Sequence, residues 1–245
     1  MYRSVIINLA AACIVGVGVA VGAMSCQAAL TISATVGGGP IEGSYVSFDT
    51  LPLGSVGGNV DSVSVTFTGD AQAVRGSISG QYAEPYLSNA NGTYFGNLND
   101  GLDTTTYLSS GIGAVTLALP SPQKDIGLLW GSVDAYNTLN LYNGTTLVGS
   151  VTGADVIPTA SGDQGINGTL YVNIHSTLAF DTVLALSSQY AFELDNFAFD
   201  APAPVPEPPS AVLLGIGVIG LIRVRHNPRG SRTPSCRNRS AFQPP

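Results

Sequence analysis

Between Ala29 and Pro204 the sequence has no cysteine; Cys13, Cys26 and Cys236 all lie outside that stretch. That body therefore has no disulfide, no thiol nucleophile and no thiolate metal centre, and its stability must come from buried side chains. Positive charge is almost as scarce. Arg75 and Lys124 stand alone against fifteen carboxylates from Glu42 to Asp200, which leaves the body at −13. Such a surface argues against nucleic acid, whose phosphates need Lys and Arg, and favours solubility, repulsion between copies and cation binding. His175 is the only histidine there. One imidazole makes neither a histidine-rich zinc site nor a secure Ser-His-Asp triad. Helical periodicity never exceeds two turns, and neither a phosphate-cradling glycine loop nor a nucleophile elbow occurs.

What is present begins with the two ends. Arg3, an apolar and small-residue run from Val5 to Met24, and small residues at Cys26 and Ala28 read as a secretory signal peptide over 1–28, cleaved after Ala28 by signal peptidase. At the other end Val205-Pro206-Glu207-Pro208 precedes an apolar run, Ala211 to Ile222, and then arginines at 223, 225, 229, 232, 237 and 239. The run is short against the roughly 20 residues that span a bilayer, and Gly215, Gly217 and Gly220 lower its helix propensity. A short transmembrane helix that acts as a transient, cleavable handle is expected over 205–225, with the arginines on the cytoplasmic side of the inner membrane. Residues 226–245, polar and rich in Arg and Pro, read as a disordered basic tail, and Ala201-Pro202-Ala203-Pro204 as a stiff linker.

The order Val205-Pro206-Glu207-Pro208, apolar run, Arg223 and Arg225 resembles the PEP-CTERM sorting signal of Gram-negative bacteria. The resemblance implies recognition and removal of the signal by an exosortase, with delivery to the cell surface or the extracellular matrix. The chain departs from that pattern by running on for about twenty residues after the basic cluster, from His226 to Pro245.

The body, 29–200, reads as β throughout. Asp61 to Thr68 alternates, with Val63, Val65 and Phe67 inward. Ala114 to Leu119 repeats the pattern. Thr138 to Tyr142 and Thr145 to Val151 flank Asn143-Gly144, which predicts a hairpin with a type I′ turn and Leu139, Leu141, Leu147 and Val151 inward. Ile126 to Trp130 is continuously apolar, as in a central strand covered on both faces. Leu170 to Ile174 and Phe180 to Leu186 are further strands. In Tyr190 to Phe199 the apolar parity changes between Leu194 and Phe197, so a β-bulge is predicted at Asp195-Asn196. About ten short strands with Gly- and Asn-rich turns imply an all-β, antiparallel sandwich, jelly-roll-like, as in many carbohydrate-binding modules.

Gly69-Asp70-Ala71, the stretch from Gly127 to Leu139 (GLLWGSVDAYNTL) and Phe192-Glu193-Leu194-Asp195-Asn196 resemble the signature of a family of exosortase-dependent bacterial surface proteins. The resemblance implies secretion and surface display and brings no catalytic residues with it. From the residues themselves, Tyr82, Tyr86, Tyr94 and Tyr107, set among Gly, Asn, Ser and Asp between Gly80 and Gly113, are candidate rings for stacking on sugars. No cofactor is expected; Asp49 and Asp195 are candidate ligands should a structural calcium ion be bound, and each read alone is a solvated or turn carboxylate. Asn97, Asn99, Asp100 and Asp103 have hard oxygens but fail the EF-hand spacing. Trp130 with Asp134 and Tyr136 reads as core or as a sugar subsite. A glycosidase needs two carboxylates across a sugar bond, and fifteen carboxylates always permit some pair. The expectation is a non-enzymatic, exported surface or matrix protein, associated with exopolysaccharide or biofilm. Its alternatives are a calcium-dependent glycan-binding adhesin and, behind it, a polysaccharide-degrading enzyme.

Overall fold

A computed structural model describes residues 5–9, 27–40, 44–86 and 101–200. The chain divides into Met1–Pro202 and Ala203–Pro245, and the second unit, with the sorting signal and basic tail, lies outside the described residues. The first is one large antiparallel sheet of twelve strands. They are β1 Val5–Leu9, β2 Leu30–Thr35, β3 Ser44–Val46, β4 Gly57–Val60, β5 Val63–Gly69, β6 Gln72–Val74, β7 Tyr107–Ser109, β8 Gly113–Gly131, β9 Asn137–Asn143, β10 Thr146–Thr152, β11 Leu170–Ser187 and β12 Glu193–Phe199. A four-residue helix, Gly153–Val156, is capped by Thr152 and Asp155. Among the described residues no helix is long and apolar enough to cross a membrane, and Ala211 to Ile222 lies outside them.

Two long strands organise the sheet. The first part of β8, Gly113 to Ala118, pairs with β5 and with the second part of β11; its last part, Ile126 to Gly131, pairs with β12 and with the first part of β11. β11 likewise pairs with β2 through Tyr171 to Ser176 and with β9 through Thr182 to Ser187. Register shifts fall between His175 and Thr182, where the partners change. The sheet thus has two arms, β4-β5-β8-β11-β9-β10 and β1-β2-β11-β8-β12 with β3, β6 and β7. Both feed one hydrophobic core: Val63, Leu139 and Val183 from the first arm, Ile32, Trp130 and Phe197 from the second. Trp130 is fully buried and stacks on Phe192 at 4.2 Å between ring centres.

Most predicted strands are present, and the differences have local causes. Ala114 to Leu119 and Ile126 to Trp130 form one strand, β8, as do Leu170 to Ile174 and Phe180 to Leu186 in β11. Ile126 to Trp130 is buried at every residue, and β11 and β12 pair with its two edges. Asp61 and Ser62, expected in a strand, form the β4–β5 turn instead, with φ of 44° and 72°. They supply the paired positive φ of a type I′ turn without glycine. The Asn143-Gly144 hairpin forms, but Asn143 stays in β9 opposite Thr146. Only Gly144 takes positive φ, the type II′ pattern rather than I′. A bulge between Leu147 and Gly149 then shifts parity, so Val148 rather than Leu147 is buried. The last strand begins at Glu193 rather than Tyr190, and its register shifts after Asp195 as the bulge prediction requires.

Candidate functional site

Two clefts, of about 420 Å³ and 170 Å³, share Gln81, Tyr82 and Tyr190 along their borders. The larger takes Asp70, Gln72 and Ser109 from strand ends and turns, and the smaller takes Ser132, Asp134 and Tyr136 from the chain leaving β8, with Gly162 and Glu193. Segments far apart in sequence meet here because β12 pairs with both β8 and β7: Glu193 lies opposite Gly131 on one side and Ser109 on the other. Ser132, at φ 37°, turns the chain out of β8 towards the clefts. The Tyr190 hydroxyl donates to Asp70 Oδ2 at 2.6 Å, and the Tyr136 hydroxyl lies 2.6 Å from Asp134 Oδ2 and 2.9 Å from the Tyr190 carbonyl. Gly162 is required beside them. Its φ is 68°, and a Cβ there would lie 2.5 Å from Asp134 Oδ2.

Electrostatically the smaller cleft is carboxylate against carboxylate. Burial pushes Glu193 from an ordinary value near 4.5 up to about 7, opposed by hydrogen bonds from Ser132 and the Ala83 N–H and reinforced by the charge of Asp134. Asp134 is itself raised by desolvation, against the pull of Tyr136. Tyr136 is raised by desolvation and then by Asp134. Glu193 Oε1 accepts from the Ala83 N–H at 2.9 Å and Oε2 from the Ser132 hydroxyl. With both oxygens occupied and the residue almost fully buried, Glu193 braces the wall rather than reaching across the cleft. Among the described residues no Lys or Arg lines either cleft.

A second cluster is acidic, with Asp103 and Asp195 buried and Asp49 exposed. Asp195 sits at the β12 bulge beside Asn196, whose φ is 51°. Asp103 accepts at Oδ1 from the Thr105 N–H (2.7 Å) and hydroxyl (2.6 Å), and Asp49 accepts at Oδ1 from the Thr106 N–H (3.2 Å) and at Oδ2 from the Ser47 hydroxyl (2.6 Å). Burial raises Asp195 well above the carboxylate range, reinforced by Asp103. Burial also raises Asp103. Tyr45 donates to Asn196 Oδ1, and the Tyr171 hydroxyl donates to the Asn196 carbonyl at 2.9 Å. Among the described residues no group of three or more His, Cys, Asp or Glu side chains could hold a metal ion.

The residues singled out in the sequence are distributed as follows. Tyr82 borders both clefts. Tyr107 is fully buried, edge-on to Tyr82 at 6.4 Å, with its hydroxyl on the Gly76 carbonyl, so it supports Tyr82 and has no face left for a ligand. Tyr86 is half-buried, and its N–H donates to Thr169 Oγ1. Trp130 is core, while Asp134 and Tyr136 line the smaller cleft. Asp195 and Asp103 hydrogen-bond each other through their side chains, and the charge of Asp49 acts on both. His175 pairs with Asp125 on the surface at 2.7 Å. Tyr94, Asn97, Asn99, Asp100, Val205 to Pro208, Arg223 and Arg225 lie outside the described residues. Sequence reading alone passes over Tyr190, Asp70 and Glu193 as site residues, although Asp70 and Glu193 belong to the short segments that resemble the surface-protein signature. The chain matches no known protein family, no curated protein and no solved structure.

Proposed function

We propose that this is an exported, non-enzymatic surface or matrix protein whose body binds polysaccharide. Signal peptidase would remove 1–28, the short apolar handle would hold the chain transiently in the inner membrane, and an exosortase would release it at Pro206-Glu207-Pro208. We take the two arms around their shared core as a jelly-roll-like sandwich. The observation that carries the binding reading is a convergence. Asp70, then Ser132, Asp134 and Tyr136, then Glu193 come from the three segments with the surface-protein signature, and all five line the pair of clefts, together with the rings of Tyr82 and Tyr190. Rings with neighbouring amide, carboxylate and hydroxyl groups suit sugar faces and their hydroxyls. A cleft walled by Asp70, Asp134 and Glu193 without a cation favours neutral or amino sugars over uronate or sulfated chains. Hydrolysis is less well served, since Glu193 has both oxygens occupied and leaves Asp134 without an open carboxylate across the cleft.

Retention of the purified chain on immobilised neutral glucan, chitosan and alginate tests this. Neutral or amino-sugar polymer should retain it and alginate should not. Tyr82→Ala with Tyr190→Ala should weaken retention by about tenfold, which two rings at roughly 0.5–1.5 kcal/mol each would supply. Failure to bind any polymer, or release of soluble sugar from one, refutes the reading.

A further inference from the structure

The larger cleft, of about 420 Å³, combines two kinds of lining. One comes from β7. There Leu108 is fully buried in the core, so strand alternation turns Tyr107 and Ser109 to the other side, where Tyr107 backs Tyr82 and Ser109 joins the cleft lining. The other comes from the chain between β3 and β4. The Gly54 N–H donates to the Ala73 carbonyl of β6 at 3.4 Å, which ties Ser55 and Val56 to the cleft. The Phe67 N–H donates to the Val56 carbonyl at 3.3 Å, and these two residues give the cleft an apolar side on which Val56 is 87% exposed. We propose that this cleft takes the acetamido group of an N-acetylated sugar, an inference that rests on the polysaccharide reading above and names the sugar class for its site.

Two hydroxyls carry the assignment. Ser55 and Ser109 both line this cleft, and the Oγ of each is shielded and has no hydrogen-bond partner, on a side chain that for Ser109 is 1% exposed. Buried polar groups are almost always satisfied, so two unpartnered hydroxyls in the lining of one cleft point to a bound group that completes them. A serine hydroxyl turns among three staggered positions, so it meets a ligand carbonyl with little rearrangement. An acetamido group offers a carbonyl acceptor, an N–H donor and a methyl, and has no charge. The cleft has a counterpart for each: serine hydroxyls as donors, the exposed Asp70 carboxylate as acceptor, and Val56 with Phe67 as the apolar wall. A free amine would meet Asp70 but has neither carbonyl nor methyl. A sugar hydroxyl or a water would complete the serines and leave the Val56 methyls uncovered.

The test is calorimetric titration of the purified full-length chain with three oligosaccharides of equal length: an N-acetylated chito-oligosaccharide, its deacetylated form and a cello-oligosaccharide. They differ only in the group at C2. The N-acetylated oligomer should bind about tenfold more tightly than either of the others, from one added hydrogen bond and one covered methyl. Ser109→Ala should remove most of that preference without lowering the melting temperature of the free chain, because the hydroxyl it removes has no partner in the fold. Val56→Ser, at an exposed position that folding does not depend on, should reduce the preference severalfold. Equal binding of the three oligomers, tighter binding of either unacetylated one, or an unchanged preference in either variant overturns the inference and leaves the broader polysaccharide reading standing. So does a Ser109→Ala chain that melts well below the parent, since the hydroxyl would then be holding the fold. Absence of binding to all three overturns the inference as well, and retention on the immobilised glucan decides the broader reading separately.

Discussion

Glu193 shows what a single buried carboxyl does to the pH dependence of this fold. Its value is raised from near 4.5 to about 7, so the folded state favours the protonated form. The stability this provides is fully present below about pH 4.5 and is lost as pH rises through 7, to an extent of about 3 kcal/mol at most. In chelator, Glu193→Gln should flatten the fall in stability between those values, as read by urea unfolding at several pH values. An unchanged slope would mean that Glu193 is charged in the native cleft throughout. The importance of this residue is hard to read from sequence. A Glu within an apolar stretch such as Phe192-Glu193-Leu194 looks like a solvent-facing position in an alternating strand. Its partners, the Ala83 N–H and the Ser132 hydroxyl, lie 110 and 61 residues away. Asp195 was easier to single out, because the parity change from Leu194 to Phe197 is a local signal of the bulge that buries it.

At the scale of elements, alternation and continuous apolar runs made the strands legible. Their continuity was not legible, because Pro120 to Lys124 and Thr177 to Ala179 look like loops when read alone. Here they are stretches of β8 and β11 that pass from one arm to the other. The consequence is cooperative. Leu117 is fully buried in the first arm, paired with Val65 and Val183, while Trp130 reports from the same strand in the second arm. Leu117→Pro removes a ladder hydrogen bond in a central strand, which a sheet does not tolerate. It should abolish the native fluorescence of Trp130 as well as the signals of its own arm. Native Trp130 emission in a variant whose first arm is unfolded would show that the arms fold separately. Turn type was legible only in part. Asn143-Gly144 marked a hairpin correctly, but the type I′ geometry went to Asp61-Ser62, whose polar side chains tolerate positive φ.

For the whole molecule, the uneven charge is the guide. The body is acidic and the C-terminal region rich in arginine, a split that the proposed export would assign to a retained body and a removed end. If the export reading is right, replacing Pro206-Glu207-Pro208 with alanines leaves an unprocessed, membrane-retained precursor in the native host, seen by fractionation and immunoblot. Arrival at the surface at the mature size would refute it. One further consequence comes from the position of β12 in the sheet. The last strand of the body has β8 on one edge and β7 and β3 on the other. Tension on the chain beyond Phe199, along the strand, would therefore load two ladders in shear at once instead of peeling a single edge open bond by bond.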